Sequence, residues 1–479
     1  MTPQQFPLIT RTALAVLVGS LGACANLSGI APVALLRDAN SLGLPASADV
    51  SQWVSSQWWR EFGDEHLNML ISQALVDNPS LKLVQSRLTR ARAVTEVADA
   101  ALLPQVNAGL DFTHQRYTSN GAVPAPLAGS ERSSGTLQFS ASWELDFFGK
   151  YRATLDAALG TVKAAQADAQ AAQVLLSANV ARSYFTTVRL NEQLVVARRT
   201  LALREETLNL VRDRVNAGLD TRLELSQSEG SVPEVRQHIE ALLEQQALAQ
   251  NALAALIAQP NSHQVPTTVQ LLAIKNVATP STLQADLLGR RADIVAARWR
   301  VEAARHDIIN AKTQFYPNIN LNAFAGFSSI GLERLLDPGS RQWGVGPALR
   351  LPIFEGGRLR ANLIGKTADY DAAVESYNAA VIDAIHDVAD QLVSVKSIAR
   401  QRVQQQAAQA AAEAAHEIAM QRFKAGLGNY LNVLASEIPL LAQRSQAVEL
   451  AARALNARVA LIRAVGGGYA SDVVAAAPH

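Results

Sequence analysis

The stretch QWGVGPALRLPIFEGGR, residues 342–358, decides how the rest of the chain is read. Trp343, Val345, Pro347, Leu349, Leu351 and Ile353 alternate with Gln342, Gly344, Gly346, Ala348, Arg350 and Pro352, the period-2 pattern of a strand with one apolar face. The chain turns at Glu355-Gly356-Gly357. It then runs to Lys424 with no proline and one internal glycine, Gly365. A strand feeds directly into a very long helix, with no linker between them.

Almost the same unit runs from Thr136 to Gly218. There Leu137, Phe139, Ala141, Trp143, Leu145 and Phe147 alternate with polar residues, Phe148-Gly149-Lys150 makes the turn, and a helix continues to about Ala217. Two more alternating runs follow Pro104 (Val106, Ala108, Leu110, Phe112) and Pro317 (Ile319, Leu321, Ala323, Ala325, Phe327). The expected strands are therefore about 105–113, 136–147, 318–327 and 342–353, joined as hairpins through polar tips at Ser119–Ser134 and Ser328–Arg341. Helical spacing covers Glu65–Leu103 with a break at Asn78-Pro79, about Thr221–Ala258 with Pro233 inside, about Ser281–Tyr316, and a last helix after Gly426 to about Val465 with Pro439 inside.

The two halves answer each other in order. Leu102-Leu103-Pro104-Gln105-Val106-Asn107 matches Phe315-Tyr316-Pro317-Asn318-Ile319-Asn320, and Phe148-Gly149-Lys150 matches the turn after Phe354. Arg214-Val215-Asn216-Ala217-Gly218-Leu219 matches Arg422-Phe423-Lys424-Ala425-Gly426-Leu427, and Pro233 matches Pro439. The offsets are 213, 206, 208 and 206 residues, so the register holds across an internal duplication. The expected divisions are residues 58–260 and 281–465 for the two repeats and 261–280 for a connector. They are flanked by an arm at 24–57 and a mobile tail at 466–479.

The N-terminus reads as an export signal over residues 1–23. Arg11 precedes a short apolar run, Thr12–Leu21, and Leu21-Gly22-Ala23 leads into Cys24. The run is too short to span a bilayer. Cys24 is the one cysteine of the chain, placed where bacterial lipidation needs a thiol, and Ala25 after it favours the outer membrane. A formal net charge of +1 without basic blocks argues against nucleic acid, and scattered histidines form no metal cluster. His386 with Asp383, Asp387 and Asp390 lies on a long helix at spacing suited to a wet face, which argues against an enzyme.

Strands of about ten residues, apolar on one face and rich in Gln, Asn, Ser and Gly on the other, suit an outer-membrane barrel with a watery lumen. Four strands cannot close, and open edges are not tolerated in hydrocarbon. Two chains give about eight strands, an interior filled by side chains, whereas three give about twelve and leave a pore. The long helices carry narrow apolar seams at Val174, Ala178, Ala181, Phe185, Val188 and Val195, and at Tyr377, Val381, Ala384, Val388 and Val395. Such seams fit coiled-coil packing in the wall of a tube.

Together these residues resemble the TolC-like outer membrane factors, most closely the lipoprotein branch called the NodT type. The signatures are Trp58-Trp59 with Phe62-Gly63-Asp64 and Leu67, Arg290-Arg291 with Asp293-Ile294, and Phe315-Tyr316-Pro317. To these add Leu351-Pro352-Ile353-Phe354 with Gly356-Gly357, and Ala425-Gly426 through Tyr430-Leu431-Asn432-Val433-Leu434. The resemblance implies a mainly helical chain with a transmembrane β-barrel portion, four antiparallel strands and long coiled-coil helices in two repeats. It implies a homotrimer with a twelve-stranded β-barrel, a twelve-helix α-barrel through the periplasm and an equatorial region around 261–280.

The implied function is the exit duct of a tripartite efflux pump, passive and without cofactor. The implied partners are a periplasmic adaptor, an inner-membrane transporter of the resistance–nodulation–division class, and outer-membrane lipid. A type I protein-secretion machine is the alternative setting for such a duct. Phe148, Gly149, Gly356 and Gly357 are the expected barrel–helix junction. Gly218, Asp220, Arg222, Gly426, Tyr430, Leu431 and Asn432 are the expected periplasmic gate. Family members carry acidic residues where this chain has Asn432 and Ala435. Tyr430 and Leu431 are therefore expected to close the tip sterically. Asp220 acts either as a helix N-cap or, with Arg222, as a polar link between helices.

Overall fold

A computed structural model describes residues 28–37, 54–259, 269–275 and 290–469. The export signal, Cys24, most of the connector and most of the tail lie outside the described residues. Among the described residues the long elements run α1 (Glu65–Asp77), α2 (Pro79–Ala100), β1 (Gln105–Arg116), β2 (Glu131–Leu145), α3 (Lys150–Asn216) and α4 (Arg222–Leu256). The second half gives α5 (Ala292–Thr313), β3 (Asn318–Ile330), β4 (Arg341–Arg350), α6 (Arg358–Lys424) and α7 (Tyr430–Ala464). Helices α3 and α6 each have 67 residues, and α4 and α7 each have 35. At about 1.5 Å per residue, α3 and α6 are each about 100 Å long. Both helix pairs superimpose in sequence at one offset, 208, and the prolines inside α4 and α7 fall two positions out of that register.

The chain forms two compact units, and each takes segments from both sequence repeats. The first comprises the residues up to Leu36, Arg87–Ala165 and Ala297–Tyr377. Its centre is a four-stranded antiparallel sheet in the order β1-β2-β3-β4. The registers put like with like. Val106, Ala141, Ala323 and Val345 form one row across all four strands, and Ala108, Phe139, Ala325 and Trp343 form another. Gly109, Gln138, Gly326 and Gln342 lie across the opposite face. The apolar face is solvent-exposed in the single chain, Trp343 at 78% and Val345 at 66%. Such a surface requires lipid or protein against it.

Strand ends differ from the alternation in the sequence for identifiable reasons. β2 begins at Glu131 because β1 continues to Arg116, which pairs with it. It stops at Leu145 because Asp146 turns to cap α3, accepting the backbone N–H groups of Tyr151 (3.1 Å) and Arg152 (2.9 Å). β4 stops at Arg350, short of Leu351 and Ile353. Its partner β3 starts at Asn318, just after Pro317, so among the described residues nothing remains to pair with 351–353.

Also in this unit, an extended N-terminal segment lies along α6. Arg360 donates to the Ser28 carbonyl (3.1 Å), and the N–H groups of Val33 and Ala34 both donate to Asp371 Oδ1 (3.0 Å each). Ile30 packs on Ile308, Ala311 and Leu363.

The second unit comprises Arg37–Ser86, Gln166–Ala296 and Asn378–His479. Its core joins the Trp58–Phe62 turn of 3₁₀ helix and α1 to α3, α4 and α7 through Trp58, Phe62, Leu70, Phe185, Leu253 and Leu455. The Trp-Trp-x-x-Phe-Gly-Asp run has a structural role here. Phe62 meets Phe185 at 5.4 Å, Gly63 takes φ +69°, and Asp64 caps α1 while accepting the Tyr184 hydroxyl at 2.6 Å. Burial and that carboxylate raise the Tyr184 hydroxyl pKa well above its usual value. Of the expected seams, Ala178, Ala181, Phe185, Val188, Val381, Ala384 and Val388 are buried, but Val195 is exposed. Past Val188 the α3 seam rotates to Leu190, Leu194 and Ala197, because α3 there packs on Val235, Ile239 and Leu242 of α4.

Candidate functional site

In the second unit both helical hairpins turn by the same chemistry. Gly218 (φ +73°) and Gly426 (φ +75°) occupy the left-handed position that ends a helix. Gly218 N–H donates to the Val215 carbonyl and Leu219 N–H to that of Arg214. Gly426 and Leu427 repeat these bonds to Phe423 and Arg422. The following helices are capped differently. Thr221 caps α4 with Glu224 reciprocating, whereas Asn429 caps α7 by accepting the Asn432 N–H at 3.2 Å. Glu224 and Asn432 are counterparts at offset 208, and hydrogen bonding from Thr221 holds the Glu224 carboxyl below its usual pKa.

Asp220 is a link and not a cap. It takes both Nε and Nη2 of Arg214 (2.8 and 3.1 Å), and Thr221 does the capping. The Arg214 guanidinium also lies 4.7 Å from the Phe423 ring centre, tying the end of α3 to the end of α6. Arg222, expected to share this work, is exposed and has no side-chain partner among the described residues. Tyr430, expected beside Leu431 at the gate, lies inside the turn region of the single chain. It is 1% exposed, packed with Val211, Phe423 and Val433 into the small core of the tip. Leu431 is 40% exposed, as are Leu219, Leu223 and Leu427 to larger degrees. The tip therefore has an interior clasp and an apolar outer rim.

One tie above the clasp joins residues from three different helices. Arg204 on α3 donates Nη1 to the Ser231 carbonyl (2.9 Å) and to Glu234 of α4 (3.0 Å), and Nε to Glu437 of α7 (3.3 Å). The side chains of Arg204 and Glu437 are 8% and 6% exposed. Beside them His416 Nδ1 contacts Ser436 Oγ at 3.2 Å, and burial lowers the His416 pKa. The spacing along the chain gave no signal for Arg204, which sits among other charged residues. Its partner is 233 positions away.

In the first unit the two expected junctions have φ values that favour glycine: Gly149 (+76°), Gly356 (+57°) and Gly357 (+86°). Phe148 stacks on Tyr316 at 5.0 Å, and Ile353 and Phe354 are highly exposed. Glu144 accepts from Lys150 Nζ (2.9 Å) and the Tyr151 hydroxyl (2.8 Å), and Arg358 pairs with Glu355 (2.8 Å). An apolar band thus gives way to ion pairs where each strand becomes a helix, the order found where hydrocarbon gives way to water.

The geometry defines a chain with an exposed apolar face on a four-stranded sheet and two helices of 67 residues each. The chain belongs to the outer membrane efflux protein family, which matches residues 70–259 and again 283–467. It is similar to the multidrug resistance outer membrane protein MdtQ of Escherichia coli O157:H7, 33% identical over 466 residues, covering 92% of this chain and 96% of that one. It is similar to the fusaric acid resistance protein FusA of Burkholderia cepacia, 36% identical over 364 residues, covering 73% and 68%. Among solved structures, the outer membrane protein VceC of Vibrio cholerae matches at 34% identity with a TM-score of 0.81, covering 87% of this chain and all of that one.

Proposed function

We propose that this protein is the outer-membrane exit duct of an efflux pump, conducting small toxic compounds passively to the exterior. The observation that carries the reading is the open sheet. Its apolar face is exposed, its opposite face is lined by Gln, Asn, Ser and Gly, and its two edge strands are unpaired in one chain. A sheet in hydrocarbon must close, and three copies make about twelve strands around a watery lumen. Family membership and the resistance proteins it resembles support efflux as the activity. The long helices reach into the periplasm to meet an adaptor and, through it, an inner-membrane transporter of the resistance–nodulation–division class. Energy comes from that transporter, and this chain carries no catalytic role.

In this reading the turns at Gly218 and Gly426 are the periplasmic end, closed by the clasp of Asp220, Arg214 and Phe423 and opened by separating α3–α4 from α6–α7. Leu219, Leu223, Leu427 and Leu431 are the rim offered to the adaptor. Lipidation at Cys24 fits the position of the arm. Ser28 is held beside Arg360 at the strand end of α6, and it follows Cys24 by four positions, a separation of at most about 13 Å. The test is deletion and complementation, with growth measured on dyes, antibiotics and aromatic acids. Restored resistance with the intact chain is expected, and unchanged sensitivity in deleted and complemented cells contradicts the proposal.

A further inference from the structure

The duplication in the sequence specifies how one copy meets the next in the membrane, in the exact register of the strands. In β1·β2, Gln105 pairs with Ser142, and in β3·β4 its counterpart Asn318 pairs with Arg350. The β1 to β3 displacement is therefore 213 positions and the β2 to β4 displacement 208. The link between the two hairpins, β2·β3, pairs Ala141 with Ala323 and Leu145 with Ile319. Edge strand β4 is the counterpart of β2, and edge strand β1 is the counterpart of β3. Carrying the β2·β3 pairing forward by these displacements sets Leu349 opposite Leu110 of a second copy, Pro347 opposite Phe112, and Ile353 opposite Val106.

We propose that β4 of one copy pairs antiparallel with β1 of the next in this register, with Leu349 facing Leu110, and that Arg350 and Asp111 form an ion pair across this seam on the lumen side. The inference rests on the duct reading and fixes its subunit contact. Three observations support it. β1 and β4 are the two edges of the sheet, each hydrogen-bonded to a strand on one side alone. The register keeps both faces intact, because Leu110 and Phe112 meet Leu349 and Pro347 on the apolar side. A slip of one residue would instead set Leu110 against Arg350 or Ala348 and turn the apolar set into the lumen. Finally, Asp111 and Arg350, both exposed and without a side-chain partner among the described residues, become diagonal neighbours, within reach of a long side chain.

The register also accounts for the short β4. Leu351 to Ile353 continue the alternation but have no strand partner among the described residues. Val106 to Ala108 of the second copy supply one, so β4 lengthens on assembly.

Cysteine pairs in the full-length protein, isolated in outer membranes and oxidised, test the register. Directly opposed strand residues fall within disulfide reach and diagonal ones fall outside it. Leu110→Cys with Leu349→Cys is expected to give covalent dimer and trimer on non-reducing gels. Phe112→Cys with Leu349→Cys is expected to stay at the single-cysteine background. The reverse pattern, or no covalent species from either pair, overturns the register. In a parallel arm, Asp111→Arg is expected to lower the temperature at which the oligomer dissociates in detergent. Adding Arg350→Asp is expected to restore it, and failure to restore overturns the ion pair. Efflux is scored separately in the same cells. A Leu110–Leu349 cross-link in protein that never supports resistance contradicts the duct, whereas full resistance without that cross-link contradicts the register alone.

Discussion

Replacing Arg204 with methionine keeps much of the side chain's length and removes its charge. Glu437 is then left in a site where its side chain is only 6% exposed, with no cation beside it, and the Ser231 carbonyl loses its donor. Removing one partner of a buried ion pair costs about 3–5 kcal/mol. The contact to Glu437 is long at 3.3 Å, and the Glu234 side chain, 74% exposed, adds little. The expected cost therefore lies near the lower bound, about 3 kcal/mol, or roughly a hundredfold in the balance between a joined and a separated tip. Glu437→Gln keeps an acceptor and should cost about 1 kcal/mol. Hydrogen exchange measures the effect directly. Amides of residues 200–216 and 430–440 should exchange faster in Arg204→Met, while those around Phe185 and Leu455 do not change. Arg204→Met with Glu437→Leu should recover most of the protection, because no charge is then buried alone. Unchanged exchange at the tip in Arg204→Met would refute the idea that this tie holds α3, α4 and α7 together.

Other consequences follow from the same contacts. A side chain at Gly326 would place its Cβ 2.1 Å from the Leu137 carbonyl oxygen, so Gly326→Ala should prevent the sheet from forming. Loss of the heat-modifiable oligomer on gels checks this. Gly365→Ala, where nothing lies within 4 Å, should leave the oligomer unchanged or slightly more stable. Gly218→Ala and Gly426→Ala each force a left-handed alanine and should cost about 1–2 kcal/mol, read as faster exchange confined to the turns. For His416 the folded pKa lies below the ordinary 6.5 because burial disfavours the cation. Below that pH the unfolded chain binds more protons than the folded one, so stability should fall as pH drops from about 6.5. His416→Gln should flatten that slope in thermal melts recorded from neutral to mildly acidic pH.

Much of this architecture can be read in the sequence because water and lipid impose different periods. Alternation along 342–350 and 105–112 reports a sheet with one face in lipid, and the long proline-free run after Gly357 reports α6. The positive-φ positions were visible as glycines in matched places. What the sequence did not show was partnership. Leu351 and Ile353 alternate correctly but have no strand to pair with among the described residues. Tyr430 looks like a gate residue because it follows the turn, yet it fills the tip core against Phe423. Asp220 finds Arg214 six positions back, and Thr221 takes the cap instead. Arg204 and Glu437 show no local pattern, since their meeting depends on how α3 and α7 pack.

Single-channel recording of the purified oligomer in planar bilayers tests the duct most directly. Conductance steps from the intact protein are expected, with larger or longer openings when Arg204→Met loosens the tip. A protein that inserts as an oligomer and yields no steps, with or without that substitution, contradicts the claim that the chain builds a pore.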